Sequence, residues 1–420
     1  MTKFFNLKNI SIIVGLALFV WLIVWAFFSG NKEFLKYGSP DVKQFEVKDL
    51  TVTGWQNGIK AFEITTKYIW SQQDLEQANI ENVVDGKIFN KQGERIIQDI
   101  VADKMHANSY TRHVNADGHI SATIVSANPQ AQTNGQYQFS AGQLFFDGTN
   151  EQTYLKDNIK FINIKRESEL YAPVAWIEHK KEVIHFEDGV SILSHHDTLF
   201  AKKLQYDFQK DYYEFLNGFN FERKIKNLAA KNKDNNDYRN KQTRLRCGYA
   251  KYIRSAQDSA TAYLNQDILI EQPGKIMMAD RGLYNEAADF FQVSGNAKIY
   301  IHSQKDFFTG PEIARVQRLS PKEILKKETY ISADQITILI DSQKFVAESN
   351  VQLKRTEETV FADKADYDEP TDKITITGHV KIQKKDGAWL LADQVIVDIG
   401  RDELYAIGAV EAEINYKKDN

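Results

Sequence analysis

The chain has 420 residues and a formal net charge of −4. A balance so near neutral argues against nucleic-acid binding, which needs a concentrated basic face. Apolar residues make up 42% and only 7 Pro are present, so the bulk is expected to fold, and the single cysteine, Cys247, excludes an internal disulfide.

Residues 1–9 carry Lys3 and Lys8 and are expected to be cytoplasmic. Residues 10–28, ISIIVGLALFVWLIVWAFF, hold no charge. A helix of that length covers roughly 28 Å, about a hydrocarbon core, so a single transmembrane helix is expected, with Trp21 and Trp25 toward its far interface. A cleaved signal peptide is the competing reading. The run is long for one, and Ala26-Phe27-Phe28-Ser29 offers no small-x-small cleavage site. Residues 29–44 then form a polar tether broken by Gly38-Ser39-Pro40, outside the cytoplasm.

From 45 to 222 the pattern predicts continuous antiparallel strands. Asn57-Gly58, between alternating Leu50, Val52 and Ile59, Ala61, is a hairpin signal, and Asp85-Gly86 and Asp117-Gly118 look like similar turns. Residues 223–247, rich in Lys and Arg, are expected to be a solvated loop or frayed helix, with contact to anionic headgroups as the sharper reading. Cys247 falls there as a tolerated thiol in a polar loop. Strands resume over 248–302. A second insertion, 303–330, contains Ser320-Pro321-Lys322-Glu323, a capping box that predicts a short helix. Over 331–416 the alternation is cleanest, as in Ile374, Ile376, Val380, Ile382 and Val395, Val397, Ile399.

A repeat runs through these strands. Ala392 stands sixteen residues before Gly408, and the same offset joins Ala362 to Gly378, Ala333 to Ser349, Ala279 to Gly295, Ala141 to Asp157 and Ala102 to Gly118. Weaker copies join Ala172 to Asp188, Ala201 to Asn217 and Ala250 to Gln266. Asp follows Ala at 103, 280, 334, 363 and 393, where a hydrogen-bonding role at strand ends is expected. Neighbouring anchors lie about 30 residues apart, the mark of stacked small units. Gly, Asn and Asp favour bulges and left-handed backbone, so each unit is expected to turn a corner there, with Gly118, Gly295, Gly378 and Gly408 as structural corners. Repeated corners wrap a sheet on itself. Ile336, Ile338, Val351, Leu353, Ile374, Ile376, Val380, Ile382, Val395, Val397, Val410 and Ile414 are then candidates to line an apolar interior, against the alternative that they only pack as a closed core. Roughly 30 strands in two sheets, at ~4.8 Å spacing, would give a body on the order of 70 Å long.

The N-terminal apolar run, the opening segment LTVTGWQNGIKAFEI (50–64) and the repeated Ala-Asp…Gly-x-Val units resemble the OstA-like β-jellyroll family of lipopolysaccharide transport, most closely its membrane-anchored, LptC-like members. The chain is about twice as long as a simple member of that kind. The resemblance implies an elongated antiparallel β-jellyroll behind one transmembrane helix, in the inner membrane with its bulk in the periplasm. It implies lipopolysaccharide as cargo, received from an inner-membrane ABC transporter with permease and ATP-binding subunits. An LptA-like bridge protein or an outer-membrane translocon would take it onward.

No enzymatic activity and no cofactor are expected. His106, His113 and His119, and the dense His195-His196-Asp197, are the nearest approach to metal ligands, but adjacent strand residues point to opposite faces and no metal site is expected. Five repeated Asp suit structure better than catalysis, which needs one site. No Gly-rich phosphate loop precedes a helix, so ATP hydrolysis would belong to a partner. Two other readings compete: a parallel β-helix enzyme acting on polysaccharide, and an envelope scaffold or adhesin with an apolar core only.

Overall fold

The computed structural model describes residues 45–71, 77–126, 137–163, 168–194, 197–224, 242–255, 259–302, 328–355, 358–398 and 403–413. The expected transmembrane helix (10–28), the tether and the capping-box helix lie outside them. Strands follow one another from the start: β1 (Phe45–Gln56), β2 (Ile59–Ser71), β3 (Gln77–Phe89), β4 (Arg95–Asn108), β5 (His113–Ile124), β6 (Tyr137–Asp147), β7 (Gln152–Asn163) and β8 (Ser168–Glu178). Next come β9 (Val183–Glu187), β10 (Val190–Leu193), β11 (Asp197–Asp207), β12 (Tyr212–Arg223), β13 (Thr243–Cys247), β14 (Tyr249–Arg254), β15 (Ala260–Gln272) and β16 (Lys275–Asn285). The series closes with β17 (Phe290–His302), β18 (Glu328–Leu339), β19 (Lys344–Lys354), β20 (Glu358–Asp368), β21 (Lys373–Lys384), β22 (Trp389–Asp398), β23 (Glu403–Ile407) and β24 (Glu411–Glu413).

All 24 strands belong to one sheet rather than two, and the pairings are antiparallel between chain neighbours. Antiparallel pairing removes the parallel β-helix as an architecture. At three positions a single strand is split at its bend, two of them at predicted corners (Asp188 and Gly408) and one at Gly248, which the repeat did not mark, so β9 with β10, β13 with β14, and β23 with β24 each fill one place in the ladder.

The corners are β-bulges. Gly118, Gly295 and Gly378 have φ of 77°, 72° and 79°, and the residue after each is also left-handed. Asp157-Asn158, Asn217-Gly218, Gln266-Asp267 and Ser349-Asn350 repeat the pair without or with one Gly. At each, the register slips, as between Thr377 and Val380 against Gln394 and Ala392. Two residues opposing one on the neighbour bend a strand and deepen its twist. The repeated Asp sits mid-strand rather than at a strand end, and its carboxylate caps the bulge of the following strand. Asp280 Oδ2 accepts from Asn296 Nδ2 at 2.8 Å, Asp334 from Asn350 at 2.6 Å, and Asp393 from the Ala409 amide at 2.9 Å. Asp103 and Asp363 meet the ring nitrogens of His119 and His379 at 2.8 and 2.7 Å. All five bonds span the sixteen-residue offset.

Two further expectations are corrected. Asp85-Gly86 and Asp117-Gly118 are not hairpin turns: both lie within strands, β3 and β5, and the second is a bulge. The basic insertion is shorter than 223–247, because Arg223 ends β12 and Thr243–Cys247 is β13, paired with β12 and β15. Leu245 and Cys247 turn inward there while Arg246 faces out, so Cys247 is a buried strand residue and not a loop thiol. Burial pushes its thiol up to about 12, and it donates to the Tyr249 carbonyl at 3.2 Å.

Bulges on alternate strands, each followed by its neighbours in the ladder, fold the sheet into two leaves whose apolar faces meet. One continuous core runs from Ala61 to Val397. The body is thus all-β and jellyroll-like.

Candidate apolar-ligand site

The two leaves meet along their hairpin rims, and the rims are tied by polar side chains. On one rim, four-residue turns end in a left-handed residue: Arg112, Glu151, Glu182 and Asp211, with φ between 50° and 59°. All four are buried, which charged side chains tolerate only when bonded. The Arg112 guanidinium donates to the carbonyls of Lys60, Phe89 and Asn90 on the facing rim at 3.2, 2.9 and 2.7 Å. Burial lowers its pKa, and Glu151 opposes that shift. Glu151 accepts from the Lys91 amide at 2.5 Å, and Glu182 from Ser126 Oγ at 2.8 Å. Farther along, the buried hydroxyls of Tyr137 and Tyr206 bond to each other, and Tyr206 also donates to Asp211 at 3.3 Å. Burial, helped by its neighbours' charges, holds the Tyr206 hydroxyl far above its ordinary range, so it stays a donor. Beyond these, Lys275 pairs with Glu369.

Between the tyrosine pair and the Lys275–Glu369 pair the leaves part around a cavity of ≈ 570 Å³. Strands β6 to β19 contribute to its wall. The lining is dominated by aromatic and aliphatic side chains, among them Phe161, Phe186, Phe215, Phe219, Leu264, Met277 and Phe291. Its volume lies in the range of small-molecule sites, which are concave, mostly apolar and carry a few placed polar groups. The charged groups in the wall are Arg223, Lys251, Arg254 and Lys275 against Asp197 and Glu286. Arg223 holds Asp197 through two bonds of 2.8 Å, Lys251 stands 4.8 Å from the Tyr212 ring centroid, and Glu286 accepts from the Ala260 amide at 2.8 Å. The wall is therefore greasy with a cationic excess, and its chemistry suits an amphiphile bearing an apolar chain.

Of the predicted lining, Ile338 faces this cavity. Ile336, Val351, Leu353, Ile374, Ile376, Val380, Ile382, Val395 and Val397 are buried in the continuous core of the C-terminal strands. Val410 is 47% exposed: it follows the Gly408 corner in the link between β23 and β24, which hold the last described place in the ladder and pair on one side only. Ile414 lies outside the described residues. The sequence reading missed the cavity wall of β11 to β17, although Leu204, Tyr206, Phe215, Phe219, Leu264 and Ile268 alternate and slip there as in the other repeats. It also missed the buried turn-end charges, whose spacing (Glu151, Glu182, Asp211) follows the same repeat. Among the expected near-ligands, His106 contacts Asn79 at 3.2 Å, His113 stands 3.3 Å from Asp147, and His119 joins Asp103. Among the described residues no group of three His, Cys, Asp or Glu converges on a metal position.

Fold and site together define a class: an all-β protein of one long antiparallel sheet, folded into a jellyroll-like body around an apolar cavity. The chain matches no protein-family model and no curated protein.

Proposed function

We propose that this chain is a membrane-anchored periplasmic component of lipopolysaccharide export. In this reading it receives lipopolysaccharide from an inner-membrane ABC transporter and holds its acyl chains inside the folded sheet. It then passes the lipid toward an LptA-like bridge or an outer-membrane translocon. The observation that carries the reading is the apolar, cation-rich cavity between the leaves. The need is physical: an acyl chain of about 12 carbons loses roughly 10 kcal/mol on moving from hydrocarbon to water, at ~0.8 kcal/mol per CH₂. A lined interior removes most of that barrier. The apolar run at 10–28 supplies the anchor, and no catalytic step is required of the chain.

A photoreactive amino acid at Phe291, inside the cavity, tests this in living cells. Adducts with lipopolysaccharide that disappear on ATP depletion are expected. Adducts with protein alone, under conditions where export runs, would return the interior to the role of a mere core and favour a scaffold.

A further inference from the structure

The Lys275–Glu369 pair stands where the cavity stops. Lys275 opens β16 on one rim, and Glu369 lies in the turn after β20 on the other, 94 residues away. The Lys275 side chain is 11% exposed, and its ammonium lies 4.8 and 5.6 Å from the ring centroids of Phe345 and Tyr367. Lys275 and Phe345 belong to the cavity wall. On the far side of the pair, Val351, Ile374 and Ile376 fill the space between the leaves. The pair thus ties the rims at the point where open cavity gives way to packed core.

A largely desolvated ammonium must keep an anionic partner, because removing one member leaves an uncompensated charge. A ligand with an acidic head can supply that partner in place of Glu369. The carboxylate, on a rim turn beside water, then exchanges its ammonium for solvent. Charge inside is conserved, so the exchange costs little, whereas an uncharged ligand cannot bring it about. We infer that Lys275 reads the acidic head of a bound amphiphile, and that its transfer from Glu369 to that head unties the rims and lets apolar chains advance between the C-terminal strands. This rests on the apolar-ligand reading above.

The test uses the full chain with a photoreactive residue at Leu264, in the cavity, or at Ile376, beyond the pair, and two probes, dodecyl phosphate and dodecanol. Lys275→Met is expected to lower labelling of position 264 by dodecyl phosphate at least tenfold while leaving dodecanol labelling unchanged, with Lys275→Arg restoring the first. Glu369→Gln is expected to raise labelling of position 376 severalfold with both probes. Equal loss of both probes in Lys275→Met, no loss of either, or unchanged labelling of position 376 in Glu369→Gln would overturn the inference. If neither probe labels position 264 in the unsubstituted chain, the apolar-ligand reading itself falls, and this inference with it.

Discussion

A Cβ on Gly378 would stand 2.5 Å from Asp363 Oδ2, at a φ of 79° that L side chains resist. Gly58 shares the left-handed backbone, at 76°, but looks into open space. Gly58→Ala should therefore cost about 1–2 kcal/mol from the backbone alone, and Gly378→Ala should cost more, the excess being the contact with Asp363. Urea unfolding of both variants measures the difference, and equal losses would mean that the Asp cap gives way freely. Titration at two histidines has opposite signs. His179 is half-buried in a rim turn, sharing a 2.8 Å bond with Thr153, and desolvation pushes its pKa down to about 3. The unfolded chain takes up a proton near 6.5 that the folded chain refuses, so between pH 6.5 and about 3 stability should fall by roughly 1.4 kcal/mol per unit. His179→Phe should make the pH slope over this range shallower by that amount, leaving the part set by carboxylates such as Glu63 and Glu178. His379 is raised by its bond to Asp363, so whatever it contributes is present below 6.5 and lost as pH rises through the raised value. An NMR titration should place its midpoint above 6.5, returning toward it in Asp363→Asn. The sixteen-residue offset was legible from letters alone, but its meaning was not. An offset becomes a bond between adjacent strands only once the register is fixed, which is why Asp363 read as a strand-end residue.

At the scale of the element, apolar alternation located nearly every strand, because a half-buried strand must repeat with period two. It failed at Thr243–Cys247, where flanking Arg and Lys drowned a short inward pair, Leu245 and Cys247. It failed differently in the cavity. A wall residue and a core residue carry the same pattern, and what distinguishes Leu264 from Ile376 is the space across from them. That difference predicts unequal truncation costs. Ile376→Ala, in packed core, should lose about 2–5 kcal/mol by opening a void, whereas Leu264→Ala enlarges one already present and should lose less. Leu264→Trp should fill the cavity and suppress labelling by dodecanol while leaving thermal unfolding nearly unchanged. A large destabilisation on filling would mean that the wall is already tightly packed.

For the molecule as a whole, the rim ties decide whether the leaves act as one body. Tyr137→Phe removes one hydroxyl from a buried pair and should cost about 1–3 kcal/mol. It should also speed hydrogen exchange of the amides near Tyr206 more than of those near Ile376. Uniform acceleration would show that the tie stabilises the fold globally rather than locally. The neighbour-only ladder has a further consequence. Since each strand pairs with the one just made, no pairing waits for a distant stretch of chain, and the entropy of closing long loops is avoided at almost every step. A polypeptide that becomes available in chain order, early strands before late ones, could complete its early rungs while later ones were still unmade. Only the contacts of Lys275 with Glu369, and the few like it, must await arrivals from far downstream, so the latch between the leaves would be the last thing set.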